Sequence, residues 1–121
     1  MRIAHQMKMN MKSSLDVTKE NQNEIKLQVQ AGVALLDKKQ PNWRNVINLA
    51  ELDLKSCEKC ILGQVFHRFE IGKKILNIER SASNYGFDPD WMMIDATTRV
   101  DEDILWEEYD KRWKQEILRK G

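Results

Sequence analysis

Residues that interrupt helices are scarce in this sequence, which has two prolines and five glycines among 121 residues. Hydrophobic residues make up 41% and charged residues 32%, the balance of a globular protein tilted toward helix, so disorder along the whole chain is not expected. The length suits one domain with a single core. We therefore predict a mainly α fold, a compact small domain of four to five helices.

Long apolar runs are also missing. No stretch approaches the roughly 20 apolar residues of a membrane span, and residues 1–12 lack the apolar run of about 7–15 residues found in signal peptides. We therefore predict a cytoplasmic protein with no membrane partner. Thiols stay reduced in the cytoplasm, so a disulfide between Cys57 and Cys60, the two cysteines of the chain, is not expected.

An excess of charge of either sign is the third absence, because the formal net charge is only +1. Domains that bind nucleic acid usually carry a large basic excess, so we do not expect direct nucleic-acid binding unless a local basic patch provides it. The candidate patch is the end of the last predicted helix, where residues 111–120 contain five basic residues and one acid.

Hydrophobic periodicity divides the chain into an arm and one domain. Residues 1–18 show no sustained period and predict a flexible N-terminal arm, with a single helical domain over 19–121. Capping signals and apolar spacing predict helices over 21–38, from Ser56 to Phe66 or Phe69, from Ile71 to near Gly86, and from Asp101 to Lys120. A minor β element over 6–12 or 91–95 is the remaining option.

The Cys57-x-x-Cys60 pair is the densest chemical feature, and three interpretations of it stay open. Zinc would need two more ligands, for which only His67 and His5 are present, so Cys57, Cys60 and His67 are the candidate metal set. A redox dithiol would profit from the start of a helix, but no βαβ framework accompanies it. We favour core cysteines, with Cys60 the more buried, and predict no metal or other cofactor.

Catalytic motifs are missing as well. The sequence has no glycine-rich phosphate loop, no nucleophile elbow and no His-Glu-x-x-His. His67, between Phe66 and Phe69, is more typical of a partly buried structural histidine than of a general base. We therefore predict a protein that is not an enzyme.

Charge is distributed unevenly near the C-terminus. Residues 88–110 contain nine acidic residues and a single basic residue, Arg99. Helix-dipole complementarity explains the acids at the start of the last helix, but not those that precede it. We predict an acidic partner-binding surface with an exposed tryptophan anchor. Its predicted residues are Asp88, Asp90, Trp91, Asp101, Glu102, Asp103, Glu107, Glu108 and Asp110.

The other tryptophans, Trp43, Trp106 and Trp113, lie on apolar faces and are predicted to be core residues. On the last helix, Ile104 and Leu118 lie two heptads apart and outside the apolar stripe of Leu105 and its neighbours. They predict a second contact face, through which a homodimer would form.

A set of short motifs resembles a family of small uncharacterised proteins of bacteriophages and bacterial mobile elements. The resemblance covers about residues 30–117, and its most specific part is Leu52-Asp-Leu-x-Ser-Cys57-x-x-Cys60-x-Leu-Gly-Gln64. In that family the second cysteine with Leu-Gly-Gln is the recurring element. The resemblance implies an accessory protein inside the bacterial host cell, with no activity that carries over.

Small phage proteins of this size commonly bind and inhibit a host protein, for example a defence nuclease or a transcription component. By this analogy we expect a non-enzymatic protein that binds a host protein and inhibits or modulates it. Two alternatives remain: a zinc- or thiol-redox-linked protein using Cys57 and Cys60, and a small nucleic-acid-binding regulator using the basic end of the last helix.

Overall fold

The computed structural model describes residues 18–93 and 102–120, and within these ranges the protein is helical and contains no strand. The mainly α prediction is therefore confirmed. Residues 1–17 of the predicted arm, the β option at 6–12 and Asp101 lie outside the described residues. The described α-helices are α1 (Lys19–Lys39), α2 (Trp43–Val46), α3 (Ile61–Phe66), α4 (Phe69–Leu76) and α5 (Glu102–Lys120), and 3-10 helices span Ala82–Tyr85 and Trp91–Met93. The β option at 91–95 is therefore wrong for residues 91–93.

Helix α1 begins earlier than the predicted capping box because Thr18 is its N-cap. The Thr18 hydroxyl accepts a hydrogen bond from the backbone N–H of Asn21 at 3.1 Å, which satisfies one of the free donors of the first turn. The helix ends at Lys39, with Gln40 as its C-cap, because the residue before Pro41 is disfavoured in helical geometry. Ile25, Val29 and Leu36 form its buried face, as their spacing predicts.

The cysteine segment does not form the single helix predicted from Ser56. The Ser56 hydroxyl instead accepts hydrogen bonds from Glu58 and Lys59 in one isolated turn, and α3 starts at Ile61 with Cys60 as its N-cap. Gly63 permits the close approach of the Cys57 backbone to α3, as predicted. A Cβ at position 63 would lie only 2.5 Å from the carbonyl oxygen of Cys57. The backbone of residues 57–58 therefore crosses the start of α3.

Helix α4 is shorter than predicted. It stops at Leu76 because Asn77 adopts the left-handed conformation, at φ 60°, and its N–H group bonds back to the last turn. The predicted left-handed residue Gly86, at φ 72°, is confirmed, but it ends the 3-10 helix Ala82–Tyr85 rather than a long α-helix. These two turns lead the chain back across α1.

The core is organised around the aromatic residue Trp113 of α5. Its ring stacks on Phe87 with centroids 5.3 Å apart, meets the edge of Trp43 at 6.0 Å, and donates a hydrogen bond from Nε1 to the Gly86 carbonyl at 2.6 Å. The ring also lies against Gly32 of α1, where a Cβ would be 2.9 Å from Cη2 of the indole. One side chain thus connects α1, α2, α5 and the turn before residue 90.

This contact predicts an unusual response to Gly32→Ala. In a helix interior, replacing glycine by alanine normally raises the free energy of unfolding by up to about 1 kcal/mol. Here the added methyl group would clash with backbone and with the fixed indole, and overpacking of this kind lowers the free energy of unfolding by about 1–3 kcal/mol. We expect the substitution to lower the free energy of unfolding, measured by chemical denaturation. The control is Ala34→Gly at an exposed position of α1, which isolates the propensity term. Stabilisation by Gly32→Ala would contradict the packing described here.

Candidate functional site

A groove of about 410 Å³ lies between the first half of α5 and the loop that precedes the cysteine segment. The α5 side carries Asp103, Trp106, Glu107 and Asp110, which are spaced so that they share one flank of the helix, beside its buried stripe. We call this the acidic groove. It is lined by Leu52, Asp53, Leu54, Lys55, Asp103, Trp106, Glu107 and Asp110.

The loop wall of the acidic groove has a fixed backbone. Leu52 and Leu54 are buried in the core, whereas Asp53 and Lys55 between and after them are exposed. The Asp53 carboxylate accepts a hydrogen bond from the Lys55 N–H at 3.0 Å, and its carbonyl accepts one from the Ser56 N–H at 3.0 Å. Buried leucines and turn bonds therefore fix where the two charged side chains start.

One ion pair crosses the acidic groove. The Lys55 Nζ lies 2.7 Å from the Asp103 Oδ1, and the two side chains are 51% and 76% exposed. The hydrogen bond with Asp103 raises the pKa of Lys55 above its ordinary value, and the charges of Asp103, Asp53 and Glu107 act in the same direction. Three carboxylates therefore favour the charged form of this one ammonium group.

Asp110 contributes an acceptor at the α5 wall. Its Oδ2 pairs with the Lys114 ammonium at 2.9 Å, one helical turn away. Its Oδ1 is buried and has no hydrogen-bond partner within the described part of the chain. Buried carboxylate oxygens are normally hydrogen-bonded, and this one is shielded from solvent rather than open to the groove.

Two tryptophans adjoin the carboxylates. Trp106 is only partly buried, unlike Trp43 and Trp113, so the prediction that all three are core residues is wrong for Trp106. Trp91 is 44% exposed, as predicted for an anchor, and its ring meets Trp106 at 74° with centroids 5.8 Å apart. Trp106 also lines a second cavity of about 270 Å³, beside Phe69 and Phe87. The spacing of Trp106 between acids on one helix flank was the sequence signal that could have identified it.

Asp90 does not belong to this surface. Its carboxylate accepts a hydrogen bond from the Gln28 amide at 3.3 Å, and its N–H donates to the Tyr109 hydroxyl at 3.1 Å. The Tyr109 hydroxyl in turn donates to the Gln28 side chain, and burial raises the pKa of Tyr109 well above its ordinary value. Asp90 therefore connects the turn before Trp91 to α1 and α5 rather than facing a partner.

The remaining predicted acids are distributed over several places. Asp88 is half-buried and lines the second cavity, where burial raises its pKa and the nearby Lys73 opposes that shift. Glu108 pairs with Lys111 at 3.3 Å on α5, and Glu102 is exposed in the first turn of that helix. The structure thus brings Asp103, Glu107 and Asp110 together with Trp106 at the acidic groove. Asp88 lines the second cavity, which Trp106 also lines, whereas Asp90 and Glu108 do not line the groove.

The two cysteines face different environments. Cys57 is exposed, whereas Cys60 is buried, as predicted, and its Sγ accepts a hydrogen bond from the Gly63 N–H at 3.2 Å. Burial raises the pKa of the Cys60 thiol, with the Gly63 bond opposing the shift. His67 is exposed at φ 79°, which corrects the prediction of a partly buried histidine. Over residues 18–93 and 102–120, no three His, Cys, Asp or Glu side chains are grouped to hold a metal.

The last helix offers little support for the other two predicted surfaces. Lys111, Lys114 and Arg119 each pair with an acid on the same helix, so much of the basic end is neutralised locally. Ile104 is partly buried against the core, whereas Leu118 is 67% exposed. The predicted face formed by both residues is therefore wrong for Ile104, and dimerisation itself stays a prediction.

Among the helices of residues 18–93 and 102–120, none combines the length and the apolar character needed to cross a membrane. Comparisons of the chain with protein-family models, with curated proteins and with solved structures find no match. The resemblance to small phage proteins therefore stays an expectation.

The cysteine environments predict unequal thiol reactivity. We expect a thiol reagent such as dithionitrobenzoate to modify Cys57 in the native protein and Cys60 only in denaturant, because the Cys60 sulfur is buried and hydrogen-bonded. Cys60→Ala removes the cap of α3 and should cost about 1–2 kcal/mol of unfolding free energy, against at most about 0.5 for Cys57→Ala. Formation of a Cys57–Cys60 disulfide with a defined reduction potential in a glutathione redox titration would favour the dithiol interpretation instead.

Asp88 predicts a pH-dependent change in stability. Its folded-state pKa is raised above the ordinary 3.8, so the native state binds more protons than the unfolded state between the two values. Its ionised form therefore lowers stability above the folded pKa, and this cost is relieved as pH falls. We expect Asp88→Asn to raise the unfolding free energy at pH 7, with the gain shrinking on acidification. The exposed control Glu58→Gln should show no such trend in denaturation at several pH values, and a gain independent of pH would contradict the assignment.

Proposed function

We propose that this chain is a non-enzymatic, phage-type accessory protein that binds a host protein and inhibits or modulates it. The contact surface is the acidic groove together with Trp91. The observation that carries the proposal is a groove lined by four carboxylates and the partly exposed Trp106, whose ring contacts that of the exposed Trp91.

The chemistry of this surface suits protein recognition. Accessible tryptophans that become buried on binding often supply much of the binding energy, because they bring a large apolar area with few rotatable bonds. Carboxylates around them add orientation and accelerate encounter with a basic partner more than they add affinity. The loop wall has a fixed backbone, so little ordering of the chain is needed before binding.

The sign of the charge suggests the kind of host protein. A nuclease or a transcription component presents a basic groove to nucleic acid, and an acidic surface fits that groove by electrostatic complementarity. Occupying the groove would exclude the nucleic acid and so inhibit the host protein.

The proposal predicts that capture of a host protein depends on the acidic groove. We expect the tagged chain to capture a bacterial protein that co-elutes with it in size-exclusion chromatography. The double variant Asp103→Lys, Glu107→Lys should reduce this capture by about tenfold or more, because it replaces attraction by repulsion at the interface.

The matched control is Glu58→Lys, Glu79→Lys, which makes the same change in net charge at two exposed positions that do not line the acidic groove. Circular dichroism and thermal melting confirm that both double variants fold. Undiminished capture by the groove variant, or equal loss in both variants, would refute the proposed surface.

A further inference from the structure

We propose that the acidic groove receives an arginine side chain of the partner against Trp106, and that Lys55 is an internal competitor which this arginine displaces from Asp103. The inference rests on the proposed function and deepens it, since it names the partner's contacting group and a residue that sets the affinity. Three features support it: the displaceable position of Lys55, the arrangement of acceptors, and the charge of the groove lining.

Lys55 is held in the acidic groove by its side chain alone. Its backbone belongs to the turn fixed by Asp53 and the buried Leu54, but its ammonium reaches across to Asp103 on α5 at 2.7 Å. Both side chains are at least half exposed, and ion pairs of this kind add little stability. Lys55 is therefore able to leave Asp103 without unfolding either wall.

The acceptors of the acidic groove suit a guanidinium better than an ammonium. Lys55 hydrogen-bonds Asp103, while Glu107 acts on it by charge, so two carboxylates of α5 act on one cation in the groove. An arginine carries five planar donors, so it can bond to two carboxylates at once, and it stacks on an indole face. Trp106 lies at helical spacing between Asp103 and Asp110, which places an aromatic surface beside the acceptors.

Charge complementarity favours a basic occupant. The groove lining contains four carboxylates and one ammonium, and that ammonium is Lys55 itself. The volume of about 410 Å³ lies toward the lower end of the range of about 300–1,000 Å³ seen for sites that bind small groups. An arginine side chain entering the groove takes over the role that Lys55 has in the free protein.

The test uses a defined probe, the peptide acetyl-Gly-Arg-Gly-Arg-Gly-amide, titrated against the full chain while the indole N–H resonances are followed by NMR. We expect Lys55→Met to bind this peptide about three- to tenfold more tightly than wild type, because the competitor and its charge are gone. The matched control Lys59→Met removes the same charge at an exposed position that does not line the groove, and should change the Kd by less than about twofold.

A second peptide, with lysine in place of both arginines, tests the recognition of guanidinium. We expect it to bind at least about threefold more weakly to wild type and to Lys55→Met, since it cannot form the bidentate contact. Lys55→Gln provides a second competitor-free variant and should behave as Lys55→Met does.

Three outcomes would overturn the inference: no binding of the arginine peptide to any variant, equal affinity of wild type and the Lys55 variants, or equal affinity for the two peptides. Each is distinguishable from failure of the proposed function. If capture of the host protein is lost on Asp103→Lys, Glu107→Lys while Lys55→Met leaves peptide affinity unchanged, the surface stands and the competitor role falls. If capture survives the charge reversal, the surface itself falls.

Discussion

The contact that most of this fold depends on is the enclosure of the Trp113 indole. Phe87 stacks on the ring, Trp43 meets it edge-on, Gly32 lies against it, and the Gly86 carbonyl accepts its N–H. A ring fixed from four directions sets both the rotation and the height of α5 relative to α1. Because a helix turns by a constant angle per residue, fixing one residue also fixes which flank faces the loop two turns earlier.

The acidic groove follows from that fixed rotation. With Leu105, Tyr109 and Trp113 turned into the core, the adjoining flank of α5 carries Trp106 and three carboxylates out beside the core edge. The opposing loop buries Leu52 and Leu54 and so turns Asp53 and Lys55 outward. Both walls thus have their positions set by burial, and the Lys55 and Asp103 side chains that join them are exposed and adjustable. A site with fixed walls and a solvent-exposed ion pair suits exchange of one cation for another.

Much of the fold was predictable from local pattern, and the site was predictable only in part. The apolar spacing of α1 and α5 identifies both helices because their buried faces are long and regular. The start of α3 was not predictable, because it depends on the chain crossing over Gly63, a contact made by the fold. Trp106 and Asp90 were misjudged for the same reason. The partners that decide their burial, such as Gln28 for Asp90, come from distant parts of the sequence.

The net charge of the chain does not predict which charged groups bind at the groove, because electrostatic interactions act only over short distances in salt solution. At physiological ionic strength charges are screened over about 8 Å, so a groove responds to its own lining rather than to the whole chain. The chain carries a formal charge of +1, yet the groove lining carries four carboxylates against one ammonium. Acids such as Glu108, which does not line the groove and pairs with Lys111, contribute little to that local field. Among the acids between residues 88 and 110 that the structure describes, the three that share a flank with Trp106 define the acidic surface on α5.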